Sequence, residues 1–537
     1  MSLPIVNELV SSMIIRVDRR RIKREVRQFF RYVMFSHKWE ENEPLFQQVV
    51  QMAVYDLNSS PTHDKLKTFC KMVQDAGFKW AWSDTCCINK EDNFVLQEAL
   101  VAMFKWYCGA AIVFVFLRGV RSPGKIGDLM KSLWNTRAWT LQEYIAARVI
   151  RFYTEDWTPY LNLDIFNHKE SPQIISEMEQ ATRISAQKLK TLRPGIDDIR
   201  EKLRLASARQ TTLVEDAAYS LLSIFSVSGI SAIYGEGENA LGRLLSHILA
   251  VSGDTSILAW TGQSGGHNSC FPAYITVFNQ PATSHLPSPI PDGEVMRMVT
   301  KLRTAASDLD LAMKLYDRLS DLPAPWFTAS RMKLPCIAFK LPPLSPSRTR
   351  SGHVYRVDTP AFGTVEIKTR QDPPRLNSLY LVHPWLDVLL DREDSIQGGD
   401  FVEDDILEPF SPDMDNDLSD EDIEEDNFSF ADPSSQERVT RDLSDHDLAD
   451  DSQSLPERKS LYYPLSDIAP MHRELRALWL IAHLRQPFGA LLLMLTSTRR
   501  RCVVYRRVAT DSTITVQLRE SVPLKEILDN VRILDVL

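Results

Sequence analysis

Between Arg31 and about Tyr160 the chain alternates short apolar runs with stretches whose apolar residues recur at helical spacing, and few folds accept that pattern. YVMFS (32–36), KWAWSD (79–84), AIVFVFL (111–117) and RVIRFY (148–153) read as buried strands. Between them, DKLKTFCKMVQDAG (64–77) ends on Gly77 in the usual helix-stop position, and NFVLQEALVAMFKWYCGA (93–110) keeps its apolar residues on a helical stripe. A third helix covers IGDLMKSL and continues, after a break, through RAWTLQEYIAA. Strands alternating with helices predict an α/β domain, a parallel sheet with helices on its faces, over residues 31–160.

The remainder divides by composition. Residues 1–30 form a basic leader, and residues 161–256 read as helical, with clear starts and stops in TTLVEDAAYSLLSIFSVSG and NALGRLLSHILAVSG. From Ile257 the character becomes Pro-rich and β-branched: SCFPAYITVF, LPCIAFKLPPL and FGTVEIKT predict short strands and loops over 257–395. FGALLLMLTS, RCVVYRRVA and TITVQL predict an antiparallel set over 457–537. Residues 396–456 are acidic and too poor in apolar side chains to offset the entropy of ordering, which predicts a disordered insertion inside one β-rich domain.

That tract distorts the net charge of −9, because Asp400 to Asp451 holds 21 acidic residues against two arginines. The rest carries 60 basic and 50 acidic residues. Its one dense basic run, RVDRRRIKREVRQFFR (16–31), has Val, Ile and Phe interleaved and reads as a solvated helix face or strand approach, which makes a nucleic-acid partner the least favoured. Seven cysteines with no CxxC pair fit reduced thiols in the cytoplasm. The N-terminus lacks a signal-peptide pattern, and the most apolar window, LWLIAHLRQPFGALLLMLTSTRR, is interrupted by Arg485, Gln486 and Pro487, so no membrane association is expected.

In open parallel sheets, ligands bind outside the carboxyl ends of the strands. Here the first strand ends in Ser36-His37-Lys38-Trp39, the second in Ser83 to Asn89, and the third in Arg118-Gly119. In RAWTLQE, Trp139 and Glu143 stand four residues apart on one helical face, where a large ring desolvates a carboxyl and raises its pKa. The structural alternative, favoured on spacing alone, makes Trp134 and Trp139 core and has Glu143 pair with Arg137 or cap a backbone group. Asp84 is an N-cap or a ligand-facing carboxylate, with the cap preferred. A Cys–His37 nucleophile pair lacks anything to orient the histidine, and Ser36-His37 adjacency suits a relay poorly. The histidines form no HxxxH or HExxH pattern, so no metal site is expected. IYGEGENALGRLL (233–245) lacks both GxGxxG spacing and a Walker lysine and reads as a tight helix-entry turn.

Taken together, YVMFSHKW, WSDTCCIN and RAWTLQE resemble the three ordered blocks of the fungal heterokaryon-incompatibility (HET) domain, over Tyr32 to about Tyr153. EDAAYSLLSIFSV, YGEGENALGRLL and SGDTSILAW look like the helical segment that often follows that domain in basidiomycete members. The resemblance singles out Ser36, Trp39, Trp82, Asp84, Cys87, Ile88, Asn89, Arg137, Trp139, Thr140, Gln142 and Glu143. Two positions depart from the family pattern: Glu40 stands where a Gly often follows the first Trp, and Lys90 where a Gln often closes the second block.

HET domains are in turn similar to TIR domains, which implies a flavodoxin-like sheet with a Trp-Cys-x-x-Glu motif on a neighbouring helix. In catalytic TIR domains that Glu supports cleavage of the nicotinamide–ribose bond of NAD⁺. WTLQE has the same Trp-to-Glu spacing, with Thr140 in place of the Cys, so the resemblance nominates Glu143 as the catalytic carboxylate. It would stabilise an oxocarbenium-like ribosyl cation, with Trp39 or Trp139 stacked on a planar ring and Asp84 or Ser36 holding ribose hydroxyls. NAD⁺ is then a substrate, and no cofactor is implied. The implied role is non-self recognition and programmed cell death, through self-association or another incompatibility or signalling protein. The alternative within the same family is a non-catalytic signalling and assembly module.

Overall fold

A computed structural model describes residues 19–227, 229–280, 309–346, 353–373, 378–385, 473–496 and 503–537. The acidic tract and the first eighteen residues of the basic leader lie outside them.

The four apolar runs form one parallel sheet: β1 (Tyr32–His37), β2 (Trp80–Ser83), β3 (Ile112–Phe116) and β4 (Ile150–Tyr153), in the order β2-β1-β3-β4. This is the order of the first four strands of a doubly wound 2-1-3-4-5 sheet, whose topological switch point lies between β1 and β3. Helix α1 (Pro61–Asp75) connects β1 to β2 and starts at Ser60, whose hydroxyl accepts from the His63 N–H. Helix α2 (Asn93–Gly109) carries the chain to β3 and is capped by Asp92, which accepts from Phe94 and Val95. The expected third helix is three pieces, Asp128–Lys131, Leu133–Thr136 and α3 (Trp139–Ala146).

Period-two alternation sends the residues of β1 to two different cores. Met34 joins the large cluster under α2 and α3, whereas Val33 and Phe35 pack with Leu66, Phe69 and Val73 of α1. Ser36 and His37 therefore face opposite sides of the sheet, which removes any direct relay between them.

The segment after β4 is helical, including α4 (Pro172–Thr182), α5 (Ile199–Ser207) and α6 (Asn239–Ser252). The GEGEN turn precedes α6, and the Glu215 carboxylate accepts from the N–H groups of Gly235 (2.8 Å) and Gly237 (2.9 Å). The donors that a phosphate would use are thus taken by the chain's own carboxylate. SCFPAYITVF, expected as short strands and loops, ends in a 3-10 turn at Ile275–Asn279, and its Phe271, Ile275 and Phe278 are buried in the large core, with Phe271 stacked on Phe327.

The C-terminal part has helix α7 (Leu309–Ser320), β5 (Trp326–Thr328), β6 (Arg331–Lys340), β7 (Ser345–Pro346), β8 (His353–Thr359), β9 (Gly363–Thr369) and β10 (Leu379–Pro384) before the acidic tract. Helix α8 (Arg473–Leu484), β11 (Phe488–Thr496), β12 (Val504–Arg507), β13 (Ile514–Val516) and β14 (Val531–Val536) follow it. The interruption at 485–487 is the turn between α8 and β11. Pairings β10–β11, β11–β12, β12–β14, β14–β6 and β6–β10 close five strands into a ring, with β5 and β13 added at its rim. The three runs predicted to be antiparallel are so, β11 pairing with β12 and with β13, while β14, which lies outside those runs, pairs parallel to β12. Arg507 ties this ring to the helical part: its buried guanidinium donates to the carbonyls of Leu258, Trp260 and Cys270 and lies 3.8 Å over the Trp260 ring. Among the described residues no helix is long and apolar enough to cross a membrane.

Candidate functional site

The carboxyl ends of β1 and β2 and the start of α3 converge on one cluster. Trp134 donates its indole N–H to Ser36 Oγ at 2.7 Å, and the Ser36 hydroxyl in turn donates to the Glu143 carboxylate. The break before α3 positions this pair. Arg137 is extended, Ala138 N–H bonds Gln210 O at 3.0 Å, and Thr140 Oγ1 donates to the carbonyls of Trp134 (2.7 Å) and Arg137 (2.9 Å). The two helical pieces are stitched across the break, so α3 starts at the angle that lays Glu143 against the end of β1.

Glu143 is 3% exposed. Burial is the main cause of a pKa raised to about 7, and the nearby Asp84 charge adds to it, while the Ser36 hydroxyl and the Arg137 charge pull the other way. The Tyr107 hydroxyl, which donates to Phe35 O at 3.1 Å, also faces this carboxyl. The expected partner is different: Arg137 donates to the His37 carbonyl at 2.8 Å, and Ser36 holds Glu143 in its place.

Trp39 and Asp84 come together at the rim. The Trp39 indole donates to Asp84 Oδ2 at 2.7 Å, and the ring is 40% exposed. Asp84 does not serve as the expected cap, because the N-cap position of the short Asp84–Cys87 helix is Ser83. Lys90 Nζ stands 3.6 Å from the centroid of the Trp39 ring and the Arg137 guanidinium 5.6 Å, so this aromatic surface is already engaged by two cations. Trp139 turns away toward the helical segment, where it and Tyr234 hold the carboxylate of Asp216. Of the two tryptophans in the block, it is Trp134 that reaches the Ser36–Glu143 pair.

The other motif residues support this arrangement. Trp82 packs edge-on against Trp106 and Tyr107, Ile88 is core, and Asn89 accepts from Gln47 at 3.0 Å. Thr140 accepts from Arg209 at 3.1 Å, a buried residue from the helical segment that no local pattern could have linked to the block. Gln142 is wholly buried with both amide atoms lacking a hydrogen-bond partner. Cys87 is exposed and Cys86 buried. On the opposite face, His37 is buried with Nε2 3.5 Å from Glu43, and Lys65 bonds both Glu43 and Glu40. Burial works to raise the Glu43 pKa, but the His37 and Lys65 contacts outweigh it and bring it down to about 2. Burial lowers the His37 pKa. Among the described residues no group of three or more His, Cys, Asp or Glu side chains is placed to hold a metal ion.

Comparison with known proteins agrees with the block pattern. Residues 32–127 match the family model described as heterokaryon incompatibility protein (HET), which takes in the first two blocks and stops before the third. The vegetative incompatibility protein HET-E-1 of Podospora anserina is 32% identical over 231 residues, covering 40% of this chain and 16% of that protein. The chain thus spans less than a fifth of the length of this curated relative. No solved structure matches. With a switch-point sheet bearing both matched blocks, residues 32–127 of the chain carry a match to the heterokaryon-incompatibility (HET) domain.

Proposed function

We propose that this protein acts in non-self recognition leading to programmed cell death, and that its HET domain does so by cleaving the nicotinamide–ribose bond of NAD⁺ with Glu143 as the catalytic carboxylate. The observation that carries this reading is the state of Glu143: desolvated at the switch point, held by Ser36, and with a proton affinity near neutrality. In its ionised form such a carboxylate stabilises the ribosyl cation as nicotinamide leaves, and water adds to give ADP-ribose, nicotinamide and a proton. Asp84, at the rim, is the second carboxylate available to ribose hydroxyls. The stacking role expected for Trp39 is replaced, since Lys90 and Arg137 occupy its ring and present positive charge where a diphosphate is attracted. The six described cysteines are free, which supports a reducing, cytoplasmic setting.

A second reading has its own support. Glu143 is almost fully buried and Trp39 is engaged by cations, as in a module whose blocks hold the fold and an assembly surface for self-association or a signalling partner. NAD⁺ consumption by the purified protein separates the two, measured at high concentration and with a crowding agent. The enzyme reading expects turnover that Glu143→Ala and Glu143→Gln both abolish. No turnover by the unaltered protein under any of these conditions supports the module.

A further inference from the structure

The angle at which α3 meets the end of β1 is set from well outside residues 32–127. Helix α3 starts without a capping side chain, because Ala138 at its N-cap position is already helical and makes no side-chain bond to the first N–H groups. Residues that follow α5 hold this start instead. Gln210 bridges the break with two backbone bonds, donating its N–H to Thr136 O at 2.6 Å and accepting from Ala138 N–H at 3.0 Å, in parallel register with Arg137. The Arg209 side chain meets the same break through one nitrogen, Nη1, which donates to Thr140 Oγ1 at 3.1 Å and to the Arg137 carbonyl at 3.2 Å. Leu203, Leu205 and Ala206 anchor α5 in the large core that also holds Trp134 and Leu141.

We propose that Arg209 is a positioning residue of the HET site, fixing the starting angle of α3 through Thr140 and the Arg137 carbonyl and so setting Glu143 against Ser36. The Thr140 hydroxyl accepts from Arg209 and donates to the Trp134 and Arg137 carbonyls, so guanidinium, hydroxyl and both ends of the break form one hydrogen-bonded unit. Glu143 stands about 4.5 Å along the helix axis from Thr140, at about 1.5 Å of rise per residue. A change of angle at the break is therefore carried directly to the carboxyl. The role rests on the proposed NAD⁺ reading only for what Glu143 then does, since Arg209 sets the same geometry in a non-catalytic module.

A guanidinium is a costly way to fill this space. Arg209 is 7% exposed, burial lowers its pKa to about 10, and its Nη2 has no hydrogen-bond partner among the described residues. An apolar side chain of similar volume packs in such a place at lower cost. What the arginine adds is direction, in two hydrogen bonds aimed at the break.

The test reads the proton affinity of folded Glu143 and needs no turnover. In any background, the change with pH of the gap in urea-unfolding free energy between a protein and its Glu143→Gln counterpart, from about pH 4 to 8, measures that affinity. A general loss of stability cancels in the gap. Arg209→Met is expected to let Glu143 swing toward water and to weaken its hold on the proton about tenfold or more, which narrows the gap by about 1.4 kcal/mol. The sign identifies positioning, because losing a nearby positive charge would by itself strengthen that hold. Arg209→Lys, which keeps the charge and a donor, should recover part of the gap. Thr140→Val should narrow it in the same direction, and Arg209→Met combined with Thr140→Val no further than Arg209→Met alone. If Arg209→Met does not fold, Thr140→Val decides by itself. A gap that is absent from the unaltered protein, unchanged or wider in the variants, or narrowed additively in the double variant overturns the proposal. Absence of NAD⁺ turnover counts against the catalytic reading alone and leaves these outcomes as they are.

Discussion

Glu143 shows how a residue's chemistry is set by what folding places around it. A carboxyl ordinarily near 4.5 is raised to about 7, mainly by burial. The folded state binds this proton more tightly than the unfolded chain does. Its contribution to stability is therefore fully present below about 4.5 and is lost as pH rises through about 7. The size is about 3 kcal/mol, since each tenfold gain in proton affinity on folding is worth about 1.4 kcal/mol. Glu143→Gln, which keeps the shape of the neutral acid, should flatten this part of the profile, so urea unfolding of the two proteins from about pH 4 to 8 ought to diverge between about pH 4.5 and 7 and hold a constant gap above that. Parallel curves would show that Glu143 ionises as easily folded as unfolded. The i, i+4 spacing pointed to a desolvated carboxyl in this block. It pointed to the wrong ring, because which tryptophan reaches the end of β1 depends on the break at Arg137, which helical periodicity does not encode.

At the scale of elements, the joint between β1 and α1 rests on a buried ionic group. Lys65 of α1 holds Glu43 and Glu40 from the loop after β1, and Arg118, after β3, reaches Glu40 at 3.3 Å. Removing one partner of a buried pair leaves the other charge uncompensated, which costs about 3–5 kcal/mol. Lys65→Met should therefore lower the stability measured by urea denaturation at about pH 7 by about that amount. Because Glu43 is held down to about 2, its contribution is present above about 4.5 and is lost as pH falls through about 2. The deficit of Lys65→Met should accordingly shrink on acidification, and a deficit that stays constant to about pH 3 would place the lost stability in packing of the lysine stem instead. The strands and helices around this joint were legible from apolar runs and caps. The ion cluster was not, because its members are spread from residue 40 to residue 118 and only the β1–α1–β3 crossover assembles them.

At the scale of the whole molecule, the strands on either side of the acidic tract close the same β ring. Leu379 to Val382 of β10 pair in register with Met494 to Leu491 of β11. Alternate residues of β6 serve two cores, with Met332, Leu334, Cys336 and Ala338 joining the large cluster and Ile337 and Phe339 packing under α7 and α8. The ring is thus complete from described residues alone. Deleting residues 400–451 should leave the melting temperature within about 2 °C of the parent, equivalent to less than about 1 kcal/mol. A large drop in a thermal scan would mean that the tract contributes to the folded core.

The sequence by itself determined the class of the N-terminal sheet, its four strands, the β character of the C-terminal part and the HET blocks, because periodicity, caps and short ordered motifs are local properties of a chain. Tertiary structure alone decided which partners those residues meet. It gave Glu143 to Ser36 instead of Arg137, Trp139 to Asp216, Trp39 to Asp84 and two cations, and Glu215 to the glycine turn. Each of these contacts joins residues far apart in the chain or across a helix break, and hydrogen bonds and burial depend on positions in space that no window of sequence specifies.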